Sequence, residues 1–101
     1  MPSTPKTLFR GAATTTVGTT LYTVPAATTT VVTSIVVTNT TSTLQSFTLG
    51  LGGTNLATTI NVGGLDSTVI DIKQTLTATQ TITGGASATS VNFHISGVEI
   101  S

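Results

Sequence analysis

The 101-residue chain has no cysteine and very little charge. Without cysteine it can form no disulfide and offers no thiolate. Charged residues make up 6% of the chain, three of them cations and three carboxylates, against roughly 25% in ordinary soluble domains. Three cations do not form the basic patch that nucleic-acid binding needs, and no apolar run approaches the roughly 18 residues of a membrane span. We therefore expect neither nucleic acid nor a membrane as a partner.

The N-terminal stretch MPSTPKTLFRG also has no apolar core of signal-peptide length. The expectation is a protein made in a cytoplasm that stays soluble until it assembles.

Hydroxyl side chains are abundant, with 27 threonines and 9 serines. Threonine, valine and isoleucine are β-branched and favour a pleated surface over a helix, so the composition predicts an all-β protein. Zero net charge gives little colloidal repulsion. Either much of the surface meets other subunits, or hydroxyl groups alone hydrate it; both interpretations remain open at this stage.

The chain divides into an extended N-terminal arm, residues 1–16, and one domain, residues 17–101. Pro2 and Pro5 disfavour regular structure in the arm. The arm is either frayed or attached to a neighbouring surface, for example as an added strand. In the second case its docking residues are Lys6, Leu8, Phe9 and Arg10.

Short apolar stretches separated by turn signals predict seven or eight strands. The predicted strands are 19–24, 28–39, 44–51, 56–62, 68–73, 76–83 and 89–100. Glycine pairs at 52–53, 63–64 and 84–85 indicate turns. This spacing is typical of an antiparallel β-sandwich, immunoglobulin-like or jelly-roll-like, although a small closed barrel would show the same pattern.

The last strand changes its apolar phase at Gly97. Val91, Phe93 and Ile95 share one face, whereas Val98 and Ile100 have the opposite parity. A glycine at such a phase change indicates a β-bulge. The alternative is that Val98 and Ile100 simply face outward, against another subunit.

No catalytic, metal or cofactor site emerges from the polar residues. His94 is the only histidine, and no nucleophile or orienting acid is assigned to it. Asp66, Asp71 and Glu99 are not spaced as calcium ligands, and none of the glycine pairs has the sequence of a phosphate loop. We expect a protein that is not an enzyme and that needs no cofactor.

Three segments resemble small virion structural proteins of tailed bacteriophages. They are TLYTVPAATTTVVTSIVVTNTT, LDSTVIDIKQTLTATQTITG and ASATSVNFHISGVEI, which together cover roughly residues 19–100. The resemblance lies in the motifs Tyr22–Pro25, Val37–Asn39, Leu76–Ile82 and Ser96–Glu99. It implies a β-sandwich located in the virion, either decorating the capsid or forming part of the tail.

Two hypotheses follow for the function. In the first, the protein is a capsid decoration protein that forms a homo-oligomer, expected to be a trimer, and docks on the major capsid protein or on tail proteins. In the second, it is a tail or fibre module that binds a host-surface glycan with Tyr22 exposed as a stacking platform.

Overall fold

Eight β-strands account for the regular structure in the computed structural model, which describes residues 3–101. They are β1 (Ser3–Ala12), β2 (Thr20–Thr23), β3 (Thr29–Asn39), β4 (Gln45–Leu51), β5 (Thr54–Val62), β6 (Ser67–Leu76), β7 (Thr81–Ala86) and β8 (Val91–Ile100). These residues include no helix, and hence none able to cross a bilayer.

The strands form two four-stranded antiparallel sheets. Sheet A has the order β1-β8-β3-β6 and sheet B the order β2-β7-β4-β5. Strand β1 pairs with β8, β2 with β7, β3 with β6 and β4 with β5. The chain is therefore one long hairpin rolled into a sandwich, which is the jelly-roll arrangement. This confirms the predicted all-β sandwich and selects the jelly-roll alternative.

The core lies between the inner faces of the two sheets. On β3 and β8 burial alternates with the pleat, so that Ile35 and Ile95, paired across the strands, are both fully buried. Phe47 of sheet B meets Phe93 of sheet A edge to face, with ring centroids 6.1 Å apart, a favoured aromatic geometry. The sequence predicts a core position for both phenylalanines, because Phe47 shares a strand face with Leu49 and Phe93 shares one with Val91 and Ile95, and both are fully buried.

The N-terminal segment is part of the sandwich from residue 3 onward, which differs from the predicted arm of residues 1–16. Strand β1 pairs along its length with β8, and Leu8 is only 7% exposed within the core. Pro5 is compatible with this strand because β1 is the edge of sheet A, where a missing N–H is tolerated. Met1 and Pro2 lie outside the described residues.

The predicted strand 76–83 and the turn at Gly84–Gly85 are both displaced. Residues 77–80 form the turn, and both glycines lie inside β7. A Cβ on Gly84 would lie 2.6 Å from Leu49 Cδ2, and one on Gly85 would lie 2.5 Å from the Thr16 carbonyl oxygen. These glycines therefore permit close packing rather than chain reversal. The predicted turns at 52–53 and 63–64 are confirmed.

Strand β8 keeps a single alternation through Gly97, so the predicted bulge is not in β8. The extra residues lie in its neighbours, between Thr7 and Phe9 of β1 and between Val32 and Ser34 of β3. A Cβ on Gly97 would lie 2.4 Å from the Val31 carbonyl oxygen, so only glycine fits this close approach. Val98 and Ile100 lie on the outer face, as the alternative predicted.

All four sheet edges are irregular. The edge strands β1, β2, β5 and β6 each contain a shift in pairing register. Bulges of this kind twist an edge away from regular pairing and oppose the addition of a further strand. The edges therefore argue against assembly by strand addition.

Four connections meet at one end of the sandwich, which we call the loop end: residues 13–19, 40–44, 63–66 and 87–90. They are joined by backbone hydrogen bonds, including Leu65 N to Thr41 O at 2.7 Å and Thr40 N to Ser90 O at 3.2 Å. The opposite end, the hairpin end, carries the β4–β5 turn and the C-terminus of β8.

The integration of β1 is tested by Leu8→Ala. Because Leu8 is buried, the variant is expected to lower the free energy of unfolding by about 2–5 kcal/mol. Thr7→Ala, on the exposed neighbour, should change it by less than about 0.5 kcal/mol. Chemical denaturation measures both. If Leu8→Ala is as stable as the parent, β1 is a detached arm.

Candidate interaction surface

A polar cluster joins both sheets at the hairpin end. The Tyr22 hydroxyl of β2 donates to the carboxylate of Glu99 on β8 and lies 2.9 Å from Thr30 Oγ1 of β3. Lys6 Nζ on β1 lies 3.3 Å from Glu99 Oε1. Tyr22 is thus half-buried with its hydroxyl engaged, and it is not the free stacking platform that the glycan hypothesis required.

This cluster is expected to make the free energy of unfolding depend on pH in the acidic range. The hydrogen bond from Tyr22 lowers the pKa of Glu99, burial opposes this effect, and Lys6 adds to it. Burial and the hydrogen bond to Glu99 raise the pKa of Tyr22. A carboxyl with a lower pKa in the folded state stabilises the fold above its unfolded-state pKa, and this contribution is lost as pH falls through the folded-state value.

Glu99→Gln is therefore expected to reduce the loss of unfolding free energy between neutral and acidic pH. Denaturation curves recorded across that range give the slope of the unfolding free energy against pH. Tyr22→Phe removes the donor and should reduce the same slope. An unchanged pH dependence in Glu99→Gln would mean that the cluster does not couple protonation to folding.

The four predicted docking residues do not form one surface. The Leu8 side chain is in the core, and Phe9 is half-buried and packs against it. Lys6 is exposed but paired with Glu99. Arg10 is exposed and lies opposite His94, on the outer face of sheet A. Of the four, Lys6 and Arg10 remain accessible to a partner.

The other ionisable groups are dispersed. Asp66 accepts a hydrogen bond from Ser67 N at 2.8 Å, where the β5–β6 connection enters β6. His94 lies on the outer face of β8, as its parity predicted, and Asp71 lies on β6. Within residues 3–101 no three histidine or carboxylate side chains come together as a metal-binding group.

Two leucines protrude at the loop end. Leu44, just before β4, is 61% exposed, and Leu65, between β5 and β6, is 73% exposed. Their connections are in direct contact, since Leu65 N donates to Thr41 O at 2.7 Å. Sequence reasoning missed these residues because an isolated leucine in a turn carries no motif. We call this pair the leucine tip.

Asn39, fully buried at the end of β3, holds the leucine tip in place. Its side-chain nitrogen lies 2.7 Å from Thr43 O and 3.1 Å from Val62 O. Its Oδ1 accepts hydrogen bonds from the backbone and hydroxyl of Thr41, at 3.0 and 2.7 Å. One buried amide therefore ties both tip connections to the sandwich, which makes the tip rigid.

Leu65 also has an unfavourable backbone conformation. It is the third residue of the turn closed by Asp66 N to Gly63 O at 3.1 Å, and its φ is +56°. Glycine or asparagine is usual at such a position. Gly64 is needed one residue earlier, where a Cβ would lie 2.4 Å from Ser42 O. Leu65 thus combines strain with exposure, a combination associated with functional positions.

Leu65→Asn is expected to raise the free energy of unfolding by about 1 kcal/mol, because asparagine tolerates a left-handed backbone. Leu44→Asn is the matched control: Leu44 is similarly exposed but has no positive φ, so a change within about 0.5 kcal/mol is expected. Chemical denaturation compares them. Equal stability of Leu65→Asn and the parent would mean that Leu65 is not strained.

A small open cleft lies on the outer side of sheet B, near the same end. It is lined mainly by small and hydroxyl-bearing residues: Thr15, Val17, Ser46, Phe47, Thr48, Thr59, Gly85, Ala86 and Ser87. Its volume is about 190 Å³, and no charged residue lines it. Val17 is 49% exposed. The connection 13–19 packs directly on Gly85 beside the cleft, since a Cβ there would lie 2.5 Å from Thr16 O and 2.8 Å from Val17 Cα.

Fold and surface together define an eight-stranded jelly-roll domain with a rigid apolar tip. No family model and no curated protein matches the chain. Among solved structures it is similar to the Agl-KA catalytic domain, with 15% identity and a TM-score of 0.49, over 99% of this chain and 27% of that one. It is also similar to a chain of the acidic stable capsid of Helicobacter pylori bacteriophage KHP30, with 10% identity, a TM-score of 0.49 and 99% coverage of both. These likenesses carry no functional conclusion.

Proposed function

We propose that the protein is a non-enzymatic structural protein of a bacteriophage virion, which decorates the capsid as a homo-oligomer. The observation that carries the proposal is the surface: charged residues are 6% of the chain, while two large apolar side chains protrude from a rigid loop end. Exposed apolar groups on a protein with little colloidal repulsion favour contacts with other proteins.

The resemblance of residues 19–100 to small virion structural proteins of tailed phages supports this proposal. The jelly roll is an architecture of viral capsid domains, and also of lectins and cupins, so the fold alone does not decide the function. The half-buried Tyr22 weakens the competing glycan hypothesis, which needed an exposed aromatic platform.

A structural role is also consistent with where the reactive groups lie. Glu99 is engaged by Tyr22 and Lys6 at the hairpin end, Asp66 shapes a turn at the loop end, and His94 lies on the outer face of sheet A. General acid–base catalysis requires such groups within hydrogen-bond reach of one substrate. Their separation supports the proposal that the protein is not an enzyme.

Docking on the major capsid protein uses the outer face of sheet A beside β1. Arg10 is exposed there, opposite His94, whereas Lys6 pairs with Gly97 on the other face of the strand and turns toward Glu99. Leu8 and Phe9 support this strand from inside and do not face a partner. A homotrimer would match the three-fold positions of an icosahedral shell, and the location that follows is the virion, after synthesis in the bacterial host cytoplasm.

The test is binding of the purified protein to phage heads that lack it. Saturable binding is expected, and Arg10→Ser should weaken it because a charged contact is lost. Lys73→Ser, which removes the same charge from the opposite edge strand β6, should bind like the parent. Quantitative cosedimentation measures both.

Two results would contradict the proposal. Absence of saturable binding to heads and tails would exclude a virion role. Binding to host cells but not to heads would favour the tail or fibre module.

A further inference from the structure

We infer that residues 3–7, the first half of β1, form a strap that opens from β8 while the rest of the sandwich stays folded, and that Glu99 is the latch that holds the strap closed. Opening of this kind does not depend on the virion role. It follows from the way in which the two halves of β1 are attached to the sandwich, because one half rests on the core and the other does not.

The two halves of β1 meet at a β-bulge, where the pairing with β8 shifts register between Thr7 and Phe9. Before the shift, every residue from 3 to 7 is exposed. After it, Leu8 is buried, Phe9 packs against the core, and Ala13, just past the strand, is buried as well. The strap therefore places no side chain in the core, whereas the second half of β1 cannot separate without exposing apolar groups to water.

The strap ends at a hinge beside Gly97 of β8. A Cβ on Gly97 would lie 2.9 Å from Leu8 Cδ1, so the Leu8 side chain lies directly against the backbone of that glycine. Opening that starts at Ser3 therefore stops before Leu8, because further separation would expose a buried leucine. A released strap leaves β8 as the edge of sheet A from Ser96 to Ile100. The closed strap thus covers backbone groups that would otherwise be free to pair with another chain.

Few interactions hold the strap in place. Its backbone pairs with β8 through residues 3–7, but Pro5 in the middle has no N–H to donate. Of the side-chain hydrogen bonds within residues 3–101, those of the strap are the two from Lys6 Nζ to the Glu99 carboxylate, at 3.3 and 3.4 Å. An ion pair of this kind contributes little to a whole fold. It is a large share of what holds a segment without core contacts.

Glu99 is positioned for this role by the opposite sheet. Its side chain is 15% exposed, against 47% for Lys6. The Tyr22 hydroxyl of β2 donates to the same carboxylate and lies 2.9 Å from Thr30 Oγ1 of β3. Because Tyr22 already restricts the carboxylate, less conformational entropy is lost when Lys6 pairs with it. The latch is therefore a preorganised acceptor on the sandwich that receives one exposed cation of the strap.

Protonation of Glu99 weakens the latch, since a neutral carboxyl lacks the charge that attracts Lys6. The ionisable groups that reach Glu99 from neighbouring strands are Lys6 of β1 and Tyr22 of β2, whereas β3 and β7 carry none. Arg10 and His94 pair further along β1 and β8, on the outer face. The hydrogen bond from Tyr22 lowers the pKa of Glu99, burial opposes this, and Lys6 adds to it. The strap is thus held above that lowered pKa and loosens as pH falls through it.

Native-state hydrogen exchange, followed for each amide by NMR, measures the opening directly. Protected amides within residues 3–7 are expected to exchange about tenfold faster, or more, than those within residues 9–12. Their rate should also change little at low concentrations of denaturant, because opening the strap exposes little apolar surface. Equal rates and equal denaturant dependence in the two halves of β1 would overturn the strap.

Ile35→Val separates opening of the strap from global unfolding. Ile35 is fully buried on β3, so loss of one methylene group should accelerate exchange within residues 9–12 by about two- to tenfold. Exchange within residues 3–7 should stay as in the parent. The same acceleration in both halves would mean that β1 opens only together with the whole fold.

Lys6→Gln and Glu99→Gln each remove one side of the latch. Each is expected to accelerate exchange within residues 3–7 by about two- to fivefold. The double variant should show no further acceleration, because both changes act through one ion pair. Asp71→Asn, which removes a carboxylate from the opposite edge strand β6, is the matched control and should leave these rates unchanged.

The pH dependence of exchange gives a second measure of the latch. As pH falls through the pKa of Glu99, protection within residues 3–7 of the parent should decrease to that of Glu99→Gln. Unfolding curves at the same pH establish that each variant is folded. Unchanged exchange within residues 3–7 in Glu99→Gln, or additive effects in the double variant, would overturn the role of Glu99.

Discussion

Close packing of the two sheets across Phe47 and Phe93 is the interaction on which the rest of the structure depends. The rings meet edge to face at the centre of the sandwich. On either side, Gly84 and Gly97 bring the backbone of one element against side chains or carbonyl groups of the next. Because apolar side chains fill the space between the sheets, ionisable groups lie on outer faces, edges and ends.

Core and surface are connected through Asn39. Asn39 is fully buried at the end of β3. Its side-chain hydrogen bonds hold two surface connections in a defined conformation against the sandwich. A buried polar group of this kind is stabilising only when its partners are all in place. The result is a rigid tip on which Leu65 is held exposed, although both its backbone and its solvation are unfavourable.

The fold shows where the few charged residues of the chain lie. The ion pair of Lys6 with Glu99 lies at the hairpin end. The edge strands of sheet A combine bulges with four of the six charged residues, Lys6 and Arg10 on β1 and Asp71 and Lys73 on β6. Such edges oppose association by strand pairing.

The sequence by itself determined the all-β class, the core positions of Phe47 and Phe93, and the turns at 52–53 and 63–64, because β-branched alternation and glycine pairs are local signals. It left a sandwich and a closed barrel as alternatives, and the pairing of the strands into two sheets decided between them. It did not reveal that Ser3–Ala12 forms a strand, since Pro5 is acceptable only if that strand is an edge. It placed a turn at Gly84–Gly85, where the requirement is non-local: Leu49 and Thr16 approach too closely for any side chain. Lys6 and Arg10 remain candidates for docking, but Leu8 and Phe9 face the core. The leucine tip and the cleft beside Val17 were decided by tertiary structure alone, because they arise where connections distant in the chain converge.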